Sequence, residues 1–301
     1  MSAARPERVL IVGAGLMGSQ IGCEYALAGH RVSLVARDAA RVGARVHEAL
    51  SLVRSYELAG ADNVEIARGN ITVAGAGSMS ADPPPHIIVE SLPEDLGVKR
   101  DVLVRLVAAV PDAIIASNTS SIPITELGLA LDAPDRTIGT HYWNPPLLMP
   151  PVEVIPGRGT LPAVVDRVTA VLRGMKKEPV LVQRDVDGFI WNRLQNALLR
   201  EALWLVENNV ATPETIDTVV RSGLARRSRY TGPFQTIALG GVAAWQSIAT
   251  NIFPHLSNEK APSDLSKWVE LERDTIDATK QTRDAALARE LIEETRMRDG
   301  M

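Results

Sequence analysis

Over the first 184 residues, short and mostly apolar runs alternate with stretches of helical spacing. Arg8–Val12 (RVLIV) is the first run and ends in glycine; a helix-compatible stretch follows to about Ala28, closed by Gly29; Arg31–Val35 (RVSLV) is the next run. Runs without polar alternation suit strands covered on both faces, and strand, glycine turn, helix, strand is a βαβ unit, which implies parallel pairing. Further buried strands are predicted at Ile87–Val89, Ala113–Ala116, Thr137–Thr140, Val152–Ile155 and Val180–Val182. Helices are predicted at Arg41–Leu58, Val98–Ala109 and Ala163–Met175.

After Arg184 the pattern changes. Trp191–Glu207 has apolar residues at helical spacing (Leu194, Ala197, Leu198, Ala202, Leu205), Thr212-Pro213 is a cap with proline in the first turn of a helix over Glu214–Arg221, and Ser263–Met297 is helical and heavily charged. The predicted fold is α/β: a Rossmann-type doubly wound sheet over residues 1–184, followed by an all-α domain over 185–301 for substrate binding and dimerisation. The apolar helices of that second domain exceed what one subunit buries, so a homodimer is expected.

Composition narrows the function classes. The 301 residues are 46% hydrophobic and 23% charged, ordinary for a globular chain with two modest cores. A formal charge of −4 gives no reason to expect nucleic acid or an anionic membrane as partner. The single cysteine, Cys23, excludes an intrachain disulfide framework and a cysteine-built metal cluster, and its helical position suits a small buried residue. The first strand begins too early for a signal peptide, and no apolar run reaches the roughly 18 residues of a membrane span. No metal site is expected, and a cytoplasmic location is.

Gly13-Ala14-Gly15-Leu16-Met17-Gly18 is a G-x-G-x-x-G motif between a strand and a helix. Gly13 permits the tight turn, Gly15 lets backbone approach a pyrophosphate, Gly18 allows close helix–strand packing, and the helix N-terminus favours the phosphates. NAD sites usually carry an acidic residue at the end of the second strand; here Ala36 stands there, followed by Arg37, with Arg41 and Arg45 downstream. A missing carboxylate and a nearby guanidinium favour a 2′-phosphate, hence NADP; the competing reading has Asp38 binding the ribose while Arg37 covers the adenine. The cofactor is therefore NAD(P), with NADP favoured.

His141 closes a predicted strand, where sheets of this type place reacting groups, and imidazole suits proton removal from an alcohol. The Asn144-Pro145-Pro146 turn returns the chain toward Glu153, whose carboxylate would fix the imidazole tautomer. From spacing alone, such a pair is structural as often as catalytic.

These segments resemble the 3-hydroxyacyl-CoA dehydrogenase superfamily over about Arg8–Leu239. The form H-x-x-N-P…V-E-V-I fits His141–Ile155, S-N-T-S-S fits Ser117–Ser121, G-F-I-x-N-R-L fits Gly188–Leu194, and ESLPEDLGVK spans Glu90–Lys99. The resemblance implies His141 and Glu153 as a catalytic dyad, Ser120 and Asn192 as contacts to the substrate oxygen, and Glu94 and Lys99 as cofactor contacts. Read singly, Ser120 would cap a helix beginning near Pro123, Asn192 would cap its own helix, and Glu94 and Lys99 would form a surface pair.

Among subgroups, that of lambda-crystallin, L-gulonate 3-dehydrogenase and L-carnitine dehydrogenase is most similar. Ser222-Gly223-Leu224…Arg227…Gly232-Pro233 matches it and implies Arg227 at the substrate site, where a guanidinium pairs with a free carboxylate. The corresponding acyl-CoA segment, Ser51–Leu58, has one cation and one anion rather than a lysine-rich tail, which weakens a CoA substrate. Tyr142 and Trp143 either narrow the pocket or pack the core. The expected function is NAD(P)-dependent interconversion of a small, anionic 3-hydroxy acid and its 3-keto form. Alternatives are a short-chain 3-hydroxyacyl-CoA dehydrogenase, a biosynthetic ketoreductase, or a non-catalytic dinucleotide-binding protein.

Overall fold

The computed structural model describes residues 6–75, 83–268 and 273–299. By contacts the chain divides into two compact units, Met1–Ile190 with Asp277–Met301, and Trp191–Ile276.

The first unit holds strands β1 (Arg8–Val12), β2 (Arg31–Ala36), β3 (Ile71–Gly75), β4 (Ile87–Glu90), β5 (Ile114–Ser117), β6 (Thr137–Tyr142), β7 (Pro151–Pro156) and β8 (Glu178–Leu181). They form one sheet in the order β3-β2-β1-β4-β5-β6-β7-β8. Pairing is parallel throughout except between β6 and β7, which run antiparallel. The apolar runs named above all become strands. The edge strand β3 lacks such a run, because its residues are only half-buried.

Helices α1 (Leu16–Leu27), α2 (Ala39–Ser55), α3 (Ala61–Gly69), α4 (Leu96–Ala109), α5 (Ile124–Ala130) and α6 (Pro162–Gly174) join the strands. Alternate side chains of each strand enter different cores. Val9 and Ile11 pack with residues of α1, α2 and α6, whereas Leu10 and Val12 pack with residues of α4 and α5. The strands are added outward in one direction from β1 to β3 and in the other from β4 onward, and the carboxyl ends of the parallel neighbours β1 and β4 flank the crevice where such sheets bind ligands.

The second unit contains α7 (Trp191–Glu207), α8 (Pro213–Val219), α9 (Arg226–Ser228), α10 (Pro233–Gly240) and α11 (Val242–Ile252). Thr212 caps α8 by accepting from the Thr215 amide, and a π-helical turn, Val220–Ala225, leads into α9. No residue of α7 is buried.

The last helix, α12 (Arg273–Asp299), departs from the expectation of one helical domain over 185–301, because from Asp277 it groups with the sheet unit. Its sequence is so charged that few positions can seek a core, and those few are used there: Ala288 is buried, and Leu291 and Ile292 line a cavity with Leu27, Val53 and Met175. Ahead of α12 the described residues form only a short turn at Leu265–Lys267, not a helix from Ser263. Among the described residues, no helix is long and apolar enough to cross a membrane.

Candidate active site

His141 and Glu153 face each other as register partners on the antiparallel strands β6 and β7. The imidazole Nδ1 lies 2.7 Å from Glu153 Oε2, and Glu153 is fully buried. With Nδ1–H donating to the carboxylate, the lone pair of Nε2 is left outward, and Ser120 Oγ lies 3.3 Å from it. The buried carboxylate is satisfied by further donors: the Ile190 amide at 2.8 Å on Oε1 and the Trp143 indole at 3.4 Å on Oε2. A buried charge held this way keeps its geometry and can stabilise an imidazolium beside it. Phe189 tilts against the His141 ring, with centroids 5.7 Å apart.

Sequence reasoning took Gly188-Phe189-Ile190 only as the approach to Asn192. The segment is itself part of the dyad's setting, and the positive φ of Gly188 and Phe189 shapes the turn that brings the Ile190 amide to Glu153. Of the two aromatic residues after His141, Tyr142 packs in the core with burial raising its phenol, and Trp143 reaches the dyad.

Ser120 sits in the loop after β5 and caps no helix: α5 begins at Ile124 without a side-chain cap. Glu94 Oε1 gathers the Thr119 hydroxyl at 2.6 Å, the Ser120 amide at 2.8 Å, and the Ser121 amide and hydroxyl at 2.6 and 2.9 Å. Burial by itself would raise the Glu94 carboxyl; the Thr119 hydroxyl, the Lys99 ammonium and the Ser121 donors outweigh it and hold the group at about 2. Lys99 is turned inward. Its side chain is 1% exposed, and its ammonium bonds Glu90 at 2.6 Å and the Leu92 carbonyl at 3.3 Å, with Glu94 at 3.5 Å. Nor are Glu94 and Lys99 a solvated surface pair. Glu90, which also accepts the Ser117 hydroxyl, went unnoticed in the sequence because it closes an apolar strand and reads as the end of that strand.

The glycine turn has the shape a pyrophosphate requires. Gly13 has φ +94°, and a Cβ there would collide with the Ser91 carbonyl; a Cβ on Gly18 would collide with the Gly13 carbonyl. At Gly15 a Cβ would meet nothing, so the backbone beside Leu16 and Met17 is open. Helix α1 starts there with no side-chain cap and no acidic residue in its first turn, leaving its amides to an anion. These residues fit a dinucleotide. At the end of β2, Asp38 accepts from the Arg41 amide as the cap of α2. Arg37 is exposed and Arg45 bonds the Ala14 carbonyl at 3.2 Å.

Asn192 and Arg227 belong to the other compact unit. Asn192 lies in the first turn of α7, where its carbonyl accepts from the Asn196 amide group at 2.8 Å. Arg227 lies on α9 and lines a cavity of about 490 Å³ with Tyr230, Thr231, Thr236 and Trp245.

A doubly wound sheet, a phosphate-sized glycine turn and a histidine–carboxylate pair on the same carboxyl edge define a nicotinamide-dinucleotide oxidoreductase. Residues 8–186 match the 3-hydroxyacyl-CoA dehydrogenase NAD binding domain and residues 188–285 the C-terminal domain of the same family. The chain belongs to the 3-hydroxyacyl-CoA dehydrogenase family. It is 34% identical to 5-formyl-3-hydroxy-2-methylpyridine 4-carboxylate 5-dehydrogenase of Mesorhizobium japonicum over 86% of this chain and 84% of that protein. It is 39% identical to L-carnitine dehydrogenase of Streptomyces griseus over 64% of this chain and 56% of that one. A crystal structure of a 5-formyl-3-hydroxy-2-methylpyridine 4-carboxylic acid 5-dehydrogenase, described as an NAD+-dependent dismutase, superposes with a TM-score of 0.84 at 28% identity, covering 98% of this chain and 99% of that one.

Proposed function

We propose that the protein interconverts a small 3-hydroxy acid and its 3-keto form, with His141 as the proton-transferring group. The observation that carries this reading is the 2.7 Å His141–Glu153 contact, which leaves Nε2 directed at Ser120 Oγ. In the oxidative direction, Nε2 takes the substrate hydroxyl proton and Glu153 stabilises the resulting imidazolium. Ser120 bonds the substrate oxygen as it becomes a carbonyl, and Asn192 is the second residue assigned to that oxygen. In reverse, protonated His141 is the general acid. A bound nicotinamide supplies the hydride acceptor, or donor in reverse. Gly13, Gly15, Leu16, Met17 and Gly18 hold its pyrophosphate.

The names of both relatives above denote substrates with a free carboxylate, and Arg227 is the guanidinium we assign to it. Tyr230 and Trp245 beside Arg227 give that cavity an apolar wall. NADP is the proposed cofactor, because Ala36 offers no carboxylate to the ribose and the Asp38 side chain is engaged as a helix cap, while Arg37 stands free of that role. The functional assembly is a homodimer formed through the helical unit.

A panel of hydroxy acids, betaines and hydroxyacyl thioesters, each with both nicotinamide cofactors, identifies the substrate by the absorbance of the reduced ring. With the best substrate, His141→Ala and Glu153→Gln are expected to lower kcat by about 10²–10⁴-fold with cofactor affinity unchanged. Full turnover in both variants ends the mechanism.

A further inference from the structure

The short segment from Glu90 to Glu94 carries two carboxylates, and both grip the serine loop. Glu90, fully buried at the end of β4, accepts the hydroxyl of Ser117, the last residue of β5, from which that loop departs. Glu94 accepts donors from Thr119, Ser120 and Ser121 on one oxygen, so the backbone wraps around it. Between them Lys99 links the carboxylates, at 2.6 Å from Glu90 and 3.5 Å from Glu94. The ammonium is nearly inaccessible, so its charge acts within the fold.

The grip has a direct consequence for chemistry. Ser120 itself is bound to Glu94 through its main-chain amide, which leaves its hydroxyl turned toward His141 Nε2. Moving the Glu94 oxygen would move the amides of Ser120 and Ser121 together, and with them the hydroxyl. The same Glu90–Glu94 segment touches the glycine turn: the Ser91 amide donates to the Val12 carbonyl, and the Ser91 carbonyl occupies the space a Gly13 side chain would need.

We infer that Glu94 is a positioning residue that holds Ser120 Oγ against His141, steadied by Lys99 and Glu90. This rests on the roles given above to Ser120 and His141. A contact to the dinucleotide, the competing role for Glu94, predicts a different pattern of losses.

The test compares Glu94→Gln, Ser120→Ala and the double variant. Three readouts are used: kcat on the best substrate, the Kd of NADH and NADPH from quenching of tryptophan fluorescence, and the ¹⁵N signal of His141 Nε2 without substrate. Glu94→Gln is expected to lower kcat by about 10-fold or more, within the range typical for losing one positioned donor. It should move the His141 signal the way Ser120→Ala does, and leave both cofactor Kd values within about twofold, the scatter expected of uncoupled sites. The double variant should be no worse than Ser120→Ala, because residues acting through one another are not additive. Additive losses overturn the inference, as does a weakened cofactor with the His141 signal unmoved. If Ser120→Ala alone changes neither kcat nor the His141 signal, it is the catalytic reading of Ser120 that falls, and the inference falls with it. Should Glu94→Gln not fold, Thr119→Val removes one donor from the same oxygen. It should shift the His141 signal in the same direction by a smaller amount, and an unmoved signal overturns the inference.

Discussion

At the scale of single residues, the end of β2 is where the proposed choice of cofactor is tested. The last residue of β2 is Ala36, which carries no charge, and Asp38, two residues on, accepts the Arg41 amide at 3.0 Å. Arg37, exposed beside it, is the guanidinium proposed for a 2′-phosphate. Ala36→Asp combined with Arg37→Ala is therefore expected to move the ratio of kcat/KM for NADP over NAD toward NAD by about 10-fold or more, the worth of one charge-assisted hydrogen bond. Steady-state kinetics with both cofactors measure it. A wild-type protein that already favours NAD refutes the assignment. His141 shows the other side of residue-scale reading. Its place at a strand end was visible in the sequence, but its tautomer follows from the buried Glu153 and the Ile190 amide behind that carboxylate.

Among the elements, the return from β6 to β7 carries the dyad, and a second buried ion pair secures it. Lys177, between α6 and β8, donates to Glu24 on α1 at 2.6 Å and to the Pro146 and Met149 carbonyls at 2.7 and 3.2 Å. Both charged side chains are largely inaccessible, and burial raises the Glu24 carboxyl against the opposing pull of Lys177. Lys177→Met would strand Glu24 without its partner and free the Pro-rich turn. Loss of one partner of a buried pair costs about 3–5 kcal/mol, whereas replacing both by apolar residues is often near neutral. Urea unfolding of Lys177→Met against Glu24→Leu/Lys177→Met should show the single variant as the less stable; the reverse order would remove the clamp from the account. Neither Glu24 nor Lys177 stands out in the sequence, because each reads as an ordinary surface charge, one on a helix and the other in a turn.

For the molecule as a whole, the helical unit is the incomplete part. Helix α7 is amphipathic yet buries no residue, with Leu194 63% and Leu198 42% exposed, and Phe234 and Leu239 lie open on α10. An apolar stripe of this kind needs a partner surface. Light scattering coupled to size exclusion is expected to give twice the 32.5 kDa of one chain. Leu194→Glu with Leu198→Glu should yield a monomer that melts earlier. A monodisperse monomer for the wild type would place the partner of α7 elsewhere.

What the sequence determined by itself follows from local rules. A strand buried on both faces demands a nearly unbroken apolar run, which is why RVLIV became β1, whereas RVSLV became β2 with Val32, Leu34 and Val35 buried and Ser33 exposed; the glycine spacing marked the phosphate turn. That His141 and Glu153 would meet was legible because the return between their strands is short in sequence. The tertiary structure alone decided what depends on distant segments meeting: the half-buried edge strand β3, the docking of α12 on the sheet unit, and the inward turn of Lys99 to Glu90 and Glu94. Burial is a property of the assembled chain, and a lysine's role is set by whether water or a carboxylate surrounds its ammonium, which no residue spacing specifies.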